Sequence, residues 1–179
     1  MKLLIVYATL MLTPIRAEVL ARETIARVEN DTGVKIEEYR VIPEKRLKRL
    51  DILRTPALLY DHQRFFRRYW RGGRNSSHVL IVAPAGRHPF FNVPTLTGEA
   101  MVCGPWGIVG YSRALPMWIN TIAAAHELGH MLGANHSPRA GIMFSAAPQI
   151  AERSQEDLHF TDDSITEINE CQSKTPQEN

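Results

Sequence analysis

The chain has 179 residues, 44% hydrophobic and 22% charged, enough to bury one core without a second domain. Its formal net charge of +2 is too small to single out nucleic acid or a membrane as the main partner. No apolar run reaches the about 20 residues of a membrane span, and no internal repeat or low-complexity segment is present.

Residues 3–7 form an unbroken apolar run and are predicted as a buried strand. Met1-Lys2 and the run to Leu12 also have the layout of a secretory signal, with cleavage after Ala17. Ile15 and Arg16 suit such a cleavage site poorly, and Thr13-Pro14 has the form of an N-cap and first helical position, so the strand is preferred. A helix over 14–30 follows, with Val19, Leu20, Ile25, Ala26 and Val28 near helical spacing, and Asp31-Thr32-Gly33 stops it.

Residues 34–42, rich in β-branched and aromatic side chains, are the second strand. A broken helical region covers 44–53 and, after the Thr55-Pro56 start signal, 57–69, with Gly72-Gly73 closing it. Strand 78–83 completes an alternation of strand and helix that calls for a mostly parallel sheet. Beyond it come a loop over 84–94, short strands over 99–103 and 107–111, and a helix over 116–132. That helix is apolar nearly all round, Trp118, Ile119 and Ile122 included, and so is buried. Residues 146–159 are expected to be irregular, 165–171 a final helix, and 172–179 a frayed polar tail.

The segment from His126 to His136 carries the chemistry. On a helix, His126 and His130 lie one turn apart on the same face, able to address one metal ion, with Glu127 beside them. Gly133 can take the positive φ that ends the helix, and the reversal would return His136 as a third ligand. Three neutral imidazoles leave one tetrahedral position for water, which is the catalytic type of zinc site. One Zn2+ is therefore expected, with Glu127 as general base and then acid towards a zinc-bound water.

This spacing, followed by Met143 in Ala140-Gly141-Ile142-Met143, resembles the metzincin metallopeptidases and their Met-turn. Over residues 78–171 the chain is most similar to the adamalysin or reprolysin branch. The likeness rests on Ala100-Met101-Val102-Cys103-Gly104-Pro105, on residues 107–112 and on Phe160-Thr161-Asp162-Asp163-Ser164. Ser137 stands where that branch usually has Asp, and most of its cysteines are missing.

The resemblance implies an α/β (α+β) zincin-like fold. Its parts are a twisted, mixed five-stranded sheet with an antiparallel edge strand, a long active-site helix, and a small C-terminal subdomain holding the Met-turn and final helix. The chain would then be a single catalytic domain, residues 1–136 and 137–171 forming its two subdomains. Its activity would be hydrolysis of extended protein or peptide substrates, captured along the edge strand Glu99, Ala100, Met101, Val102 and Cys103. Met143 would shape the floor beneath the histidines, and Phe144 to Pro148 would border a side-chain pocket. A monomer without nucleic-acid partners is the expectation.

Cys103 and Cys171 are the only cysteines, and two buried free thiols would be an ordinary outcome. In the resembling branch, cysteines at these places are disulfide-bonded, which would imply an oxidising compartment; free thiols would suit the cytoplasm. His62, His78, His88 and His159 have no partner at ligand spacing and are read as surface or core histidines. In residues 64–74, five arginines alternate with four aromatics, read as a helix end with rings inward and guanidinium groups solvated rather than as a surface for an acidic partner. Two other functions compete with a peptidase: a catalytically silent binding module of the same fold, which would not need Glu127, and a zinc hydrolase of a non-peptide amide, which would be indifferent to substrate length.

Overall fold

The computed structural model describes residues 1–50, 57–69, 77–87, 94–138, 141–144 and 158–174. The N-terminal apolar run is strand β1 (Lys2–Ala8), as expected. It leads into helix α1 (Pro14–Thr32), capped by Thr13, whose Oγ1 accepts from the Arg16 N–H at 3.3 Å. Gly33 ends that helix at φ 73°, its N–H donating to the Glu29 carbonyl. Then come β2 (Glu38–Glu44), short helices α2 (Leu58–Asp61) and α3 (Gln63–Tyr69), and β3 (Ser77–Pro84).

Strands β4 (Gly86–Arg87) and β5 (Pro94–Thr95) make a small antiparallel ladder, and β6 (Gly98–Ala100) and β7 (Trp106–Tyr111) return to the main sheet. Helix α4 (Met117–Leu132) and helix α5 (Asp162–Lys174) complete the chain. The main sheet has five strands in the order β2-β1-β3-β7-β6, all parallel except the edge strand β6. This is the mixed α/β architecture expected from the alternation along the chain.

Strand alternation divides the core between the two faces of the sheet. Leu3, Ile5, Tyr7, Leu80 and Val82 pack with α1 and α4, while Val6, Ala8, Ile81 and Ala83 pack with Leu58, Phe65 and Phe66 of α2 and α3. On α1, Leu20, Ala21, Ile25 and Val28 are buried, but Val19 faces outward. Phe65 and Phe66 point inward with Arg64, Arg67 and Arg68 exposed, as expected; residues 70–76 lie outside the described set. Among the described residues no helix is long and apolar enough to cross a membrane.

Several boundaries differ from the expectation. Residues 45–50 are not helical: Leu47 and Leu50, at a helix-like spacing, are instead loop anchors in the core, and the Leu50 N–H donates to the Pro84 carbonyl at 2.9 Å. Strand β2 starts at Glu38 rather than 34, set by its register on β1 from Lys2 onward. The final helix starts at Asp162 rather than 165, because Thr161 Oγ1 accepts from the Ser164 N–H and two acids occupy its first turn. It also absorbs Gln172 to Lys174, which the sequence reading assigned to a frayed tail; 175–179 and the expected irregular stretch up to 157 lie outside the described residues.

Candidate metal centre and cleft

Helix α4 begins against a fixed turn. The buried Asn120 side chain accepts from the Ser112 N–H at 2.9 Å and donates back to the Ser112 carbonyl at 3.1 Å, clamping the helix start to the end of β7. Residues 119–125 and 127–132 are buried, so rotation of the helix would expose core surface. This holds His126, Glu127 and His130 in place.

After His130 the helix ends at Gly133, φ 122°, whose N–H donates to the Gly129 and His130 carbonyls. The chain turns back and brings His136 to the other two imidazoles, as the spacing implied. The ligand nitrogens of His126, His130 and His136 lie within 4.8 Å of one another. His126 Nδ1–H donates to the Ile142 carbonyl and His130 Nδ1–H to the Ala134 carbonyl, both at 2.7 Å, since a carbonyl oxygen can only accept.

That fixes the tautomers and turns both Nε2 lone pairs inward, 3.2 Å apart. Two lone pairs facing each other repel unless a cation lies between them, so the donor set fits a zinc ion. Burial, and next the mutual repulsion of the ring charges, lowers the pKa of His126 to about 4. Burial also lowers that of His130. Both rings are therefore neutral and ready to ligate at neutral pH.

Glu127 is buried, and its Oε2 has no hydrogen-bond partner among the described residues. Burial first, then the nearby Glu99 carboxylate, pushes its pKa up to about 8. The carboxylate lies against Gly98 of β6: a Cβ there would run into the carboxylate and fall 2.7 Å from the Ile108 carbonyl oxygen. Met143 is fully buried under α4, and a Cβ at Gly129 would fall 2.6 Å from its sulfur. Its carbonyl accepts from the Ser137 N–H at 2.8 Å, tying the residue after His136 to the methionine turn.

The histidines open into a cleft of about 410 Å³ whose apolar walls include Leu96, Ala100, Val102 and Phe144; residues 145–148 lie outside the described set. Its rim is the edge of the sheet, which no other strand pairs among the described residues, but the edge strand is Gly98–Ala100, not 99–103. Met101, Val102 and Cys103 turn away, Cys103 with φ 53°. The Met101 N–H is already donated to the Trp106 carbonyl at 2.9 Å, and the Thr97 carbonyl accepts from Gly110. By strand alternation, the outward-facing main-chain groups are those of Gly98 and Ala100.

Cys103 and Cys171 form a disulfide, joining the turn after the edge strand to α5. The Cys103 N–H also donates to the His130 carbonyl at 2.9 Å, so the bridge sits on the end of the ligand helix. Sequence reasoning missed Glu167 of α5, whose Oε2 accepts from the Asn135 N–H at 2.7 Å, one residue before the third histidine. A single acid in a polar helix has no signature that distinguishes it from a solvated one. Of the other histidines, His62 is buried with its Nδ1 2.9 Å from the Leu58 carbonyl and His159 is exposed, and neither belongs to the converging group; His88 is not among the described residues.

Solved structures that superpose on this chain include archaemetzincins, a zinc-dependent peptidase and a metalloproteinase. An archaemetzincin from Methanopyrus kandleri superposes with a TM-score of 0.64 at 19% identity, over 97% of this chain and 96% of its own. A zinc-dependent peptidase from Methanocorpusculum labreanum gives 0.60 at 16%, over 93% of this chain and 100% of its own. Metalloproteinase-II from Bacteroides fragilis gives 0.63 at 13%, over 96% of this chain; the chain spans about half, 52%, of that protein. At these identities the likeness is one of fold. It does not support the adamalysin branch suggested by residues 100–112 and 160–164. No protein-family model matches the sequence, and no curated protein does.

Proposed function

We propose that this chain is a zinc-dependent endopeptidase of extended protein or peptide substrates. His126, His130 and His136 would hold one ion, and Glu127 would be the general base and then acid. The observation that carries the reading is the convergence of three imidazoles, two with their lone pairs fixed inward, beside a buried carboxylate with an unbonded oxygen. When bound, zinc supplies a Lewis acid that acidifies water and polarises a carbonyl oxygen.

The remaining chemistry falls to side chains of the protein. Glu127 Oε2 is available to take a proton from the attacking water and return it to the leaving amine. Main-chain groups of Gly98 and Ala100 on the free edge are available to an extended peptide, and the apolar cleft walls to its side chains. Met143, packed under Gly129, keeps the two helical histidines on a rigid floor. The zinc peptidases that share the fold agree with this reading.

The test is digestion of a proteome-derived peptide library with and without a chelator, followed by zinc add-back. Cleavage that chelator abolishes and zinc restores is expected, with longer peptides cut more efficiently than dipeptide amides. Zinc-dependent hydrolysis indifferent to peptide length would point to a small-amide hydrolase, and zinc binding with no hydrolysis to a binding module.

A further inference from the structure

Away from the histidines, the structure assembles a second surface that the peptidase reading leaves unused. The sheet order places β1 between β2 and β3, so the chain leaves β1 towards one side and later returns on the other. In an open α/β sheet that reversal opens a crevice outside the carboxyl ends of the strands. Here it is a shallow depression of about 760 Å³ whose lining includes Leu10, Lys45, Arg46, Lys48, Arg49 and Arg64.

The cations are arrayed rather than scattered. In residues 44–50 the buried positions are Glu44, Leu47 and Leu50, and the pairs between them, Lys45-Arg46 and Lys48-Arg49, are exposed. Leu47 and Leu50 anchor the segment in the core, the Leu50 N–H bonds Pro84, and the Arg46 N–H bonds Glu44 Oε1. Among the described residues, none of Lys45, Arg46, Lys48, Arg49 and Arg64 forms an ion pair. The neighbouring acid, Glu44, is buried and engaged by Arg68 and the Tyr69 hydroxyl. A chain of net charge +2 thus gathers in one depression five cations that form no ion pair among the described residues, with only Arg46 close enough to act on the buried Glu44.

Its apolar content points to the partner. Leu10 lies in the same depression and is 72% exposed, and Ile15, in the first turn of α1, is 78% exposed. Phe65 and Phe66 of α3, which a single-stranded nucleic acid would use for stacking, are buried against the sheet. A protruding Leu10 set among Lys and Arg suits the interface of an anionic bilayer, where headgroups meet the cations and the aliphatic side chain enters the acyl boundary.

We propose that the Lys45–Arg49 face with Leu10 docks the protein on an anionic membrane surface, peripherally and reversibly. The inference is independent of the peptidase reading.

The test is co-sedimentation of the zinc-loaded full chain with vesicles of phosphatidylcholine, with or without about one-third phosphatidylglycerol, at about 0.15 M salt. At least about tenfold tighter partitioning onto the anionic vesicles is expected, falling steeply as salt is raised. Lys48→Glu with Arg49→Glu should reduce partitioning by about tenfold or more, while Lys48→Arg with Arg49→Lys keeps it. Leu10→Ser should reduce it severalfold with the same salt dependence, and peptide hydrolysis should be unchanged in all of these variants. Equal binding to both vesicle types, or to neither, overturns the proposal. So does binding that Leu10→Ser leaves intact and duplex DNA competes away, which would mark a nucleic-acid surface instead.

Discussion

The Asn135 N–H donates to Glu167 Oε2 at 2.7 Å, so the final helix holds the turn that delivers His136. The other two imidazoles are oriented by carbonyls of their own neighbourhood, whereas the third depends on a side chain 32 residues further on. Glu167→Ala is expected to weaken zinc affinity by about 10–100-fold with helix content unchanged, and Glu167→Gln by less. Competition against a chromophoric chelator measures both. His136→Ala should lose more affinity than either, and wild-type affinity in that variant would remove it from the ligand set.

Glu127→Gln should lower hydrolysis by at least about 10²–10⁴-fold while zinc stays bound, since Glu127 acts on protons and not on the metal. Turnover near wild type with full zinc content would end the assignment.

The same residue gives the metal-free protein a pH signature. Its folded pKa, about 8, lies above the ordinary 4.5, so the unfolded chain ionises first and stability falls as pH rises from about 4.5 to 8. His126, lowered to about 4 from 6.5, acts from the other side, costing stability as pH falls through that interval. Metal-free Glu127→Gln is therefore expected to be more stable than wild type at pH 8, by an amount on the order of a few kcal/mol, and nearly equal at pH 5. Urea titrations at the two values check it, and a difference independent of pH would contradict the sign.

Proline substitutions separate the two sides of the edge strand. Met101→Pro removes an N–H that bonds the Trp106 carbonyl and should lower the melting temperature. Ala100→Pro removes an outward N–H, so catalytic efficiency on long peptides should fall while melting temperature and zinc content hold. If Ala100→Pro cuts long peptides like wild type, substrate does not bind along this edge.

Replacing Cys103 and Cys171 by Ser opens a bridge spanning 68 residues and should cost about 4 kcal/mol on the chain-entropy argument. Denaturant midpoints with and without reductant measure it. Two free thiols in protein from its native compartment would show the bridge does not form there.

What could be read from the sequence was whatever local chemistry decides. Thr13-Pro14 starts α1 and Gly33 stops it because a cap and a positive φ are properties of those residues. His126, Glu127, His130 and His136 were legible because helical spacing and one glycine turn fix their relation. Residues 45–50 were misread because Leu47 and Leu50 are spaced as a helix would space them, while the burial that seats them comes from β3 and α3. The edge strand was placed a little too far along, since the outward side depends on a register with β7 that no residue of 98–103 declares. Glu167 was invisible for a related reason: its partner is a backbone N–H on another element.

Gly98 leaves only main chain between the free edge of the sheet and the Glu127 carboxylate. The spacing between whatever pairs with that edge and the carboxylate is thus set by covalent geometry, like a ruler with no sliding part. Rotamers of Leu96, Val102 and Phe144 can reshape the cleft for different side chains without altering that reach. Even one methyl group at position 98 would recalibrate it.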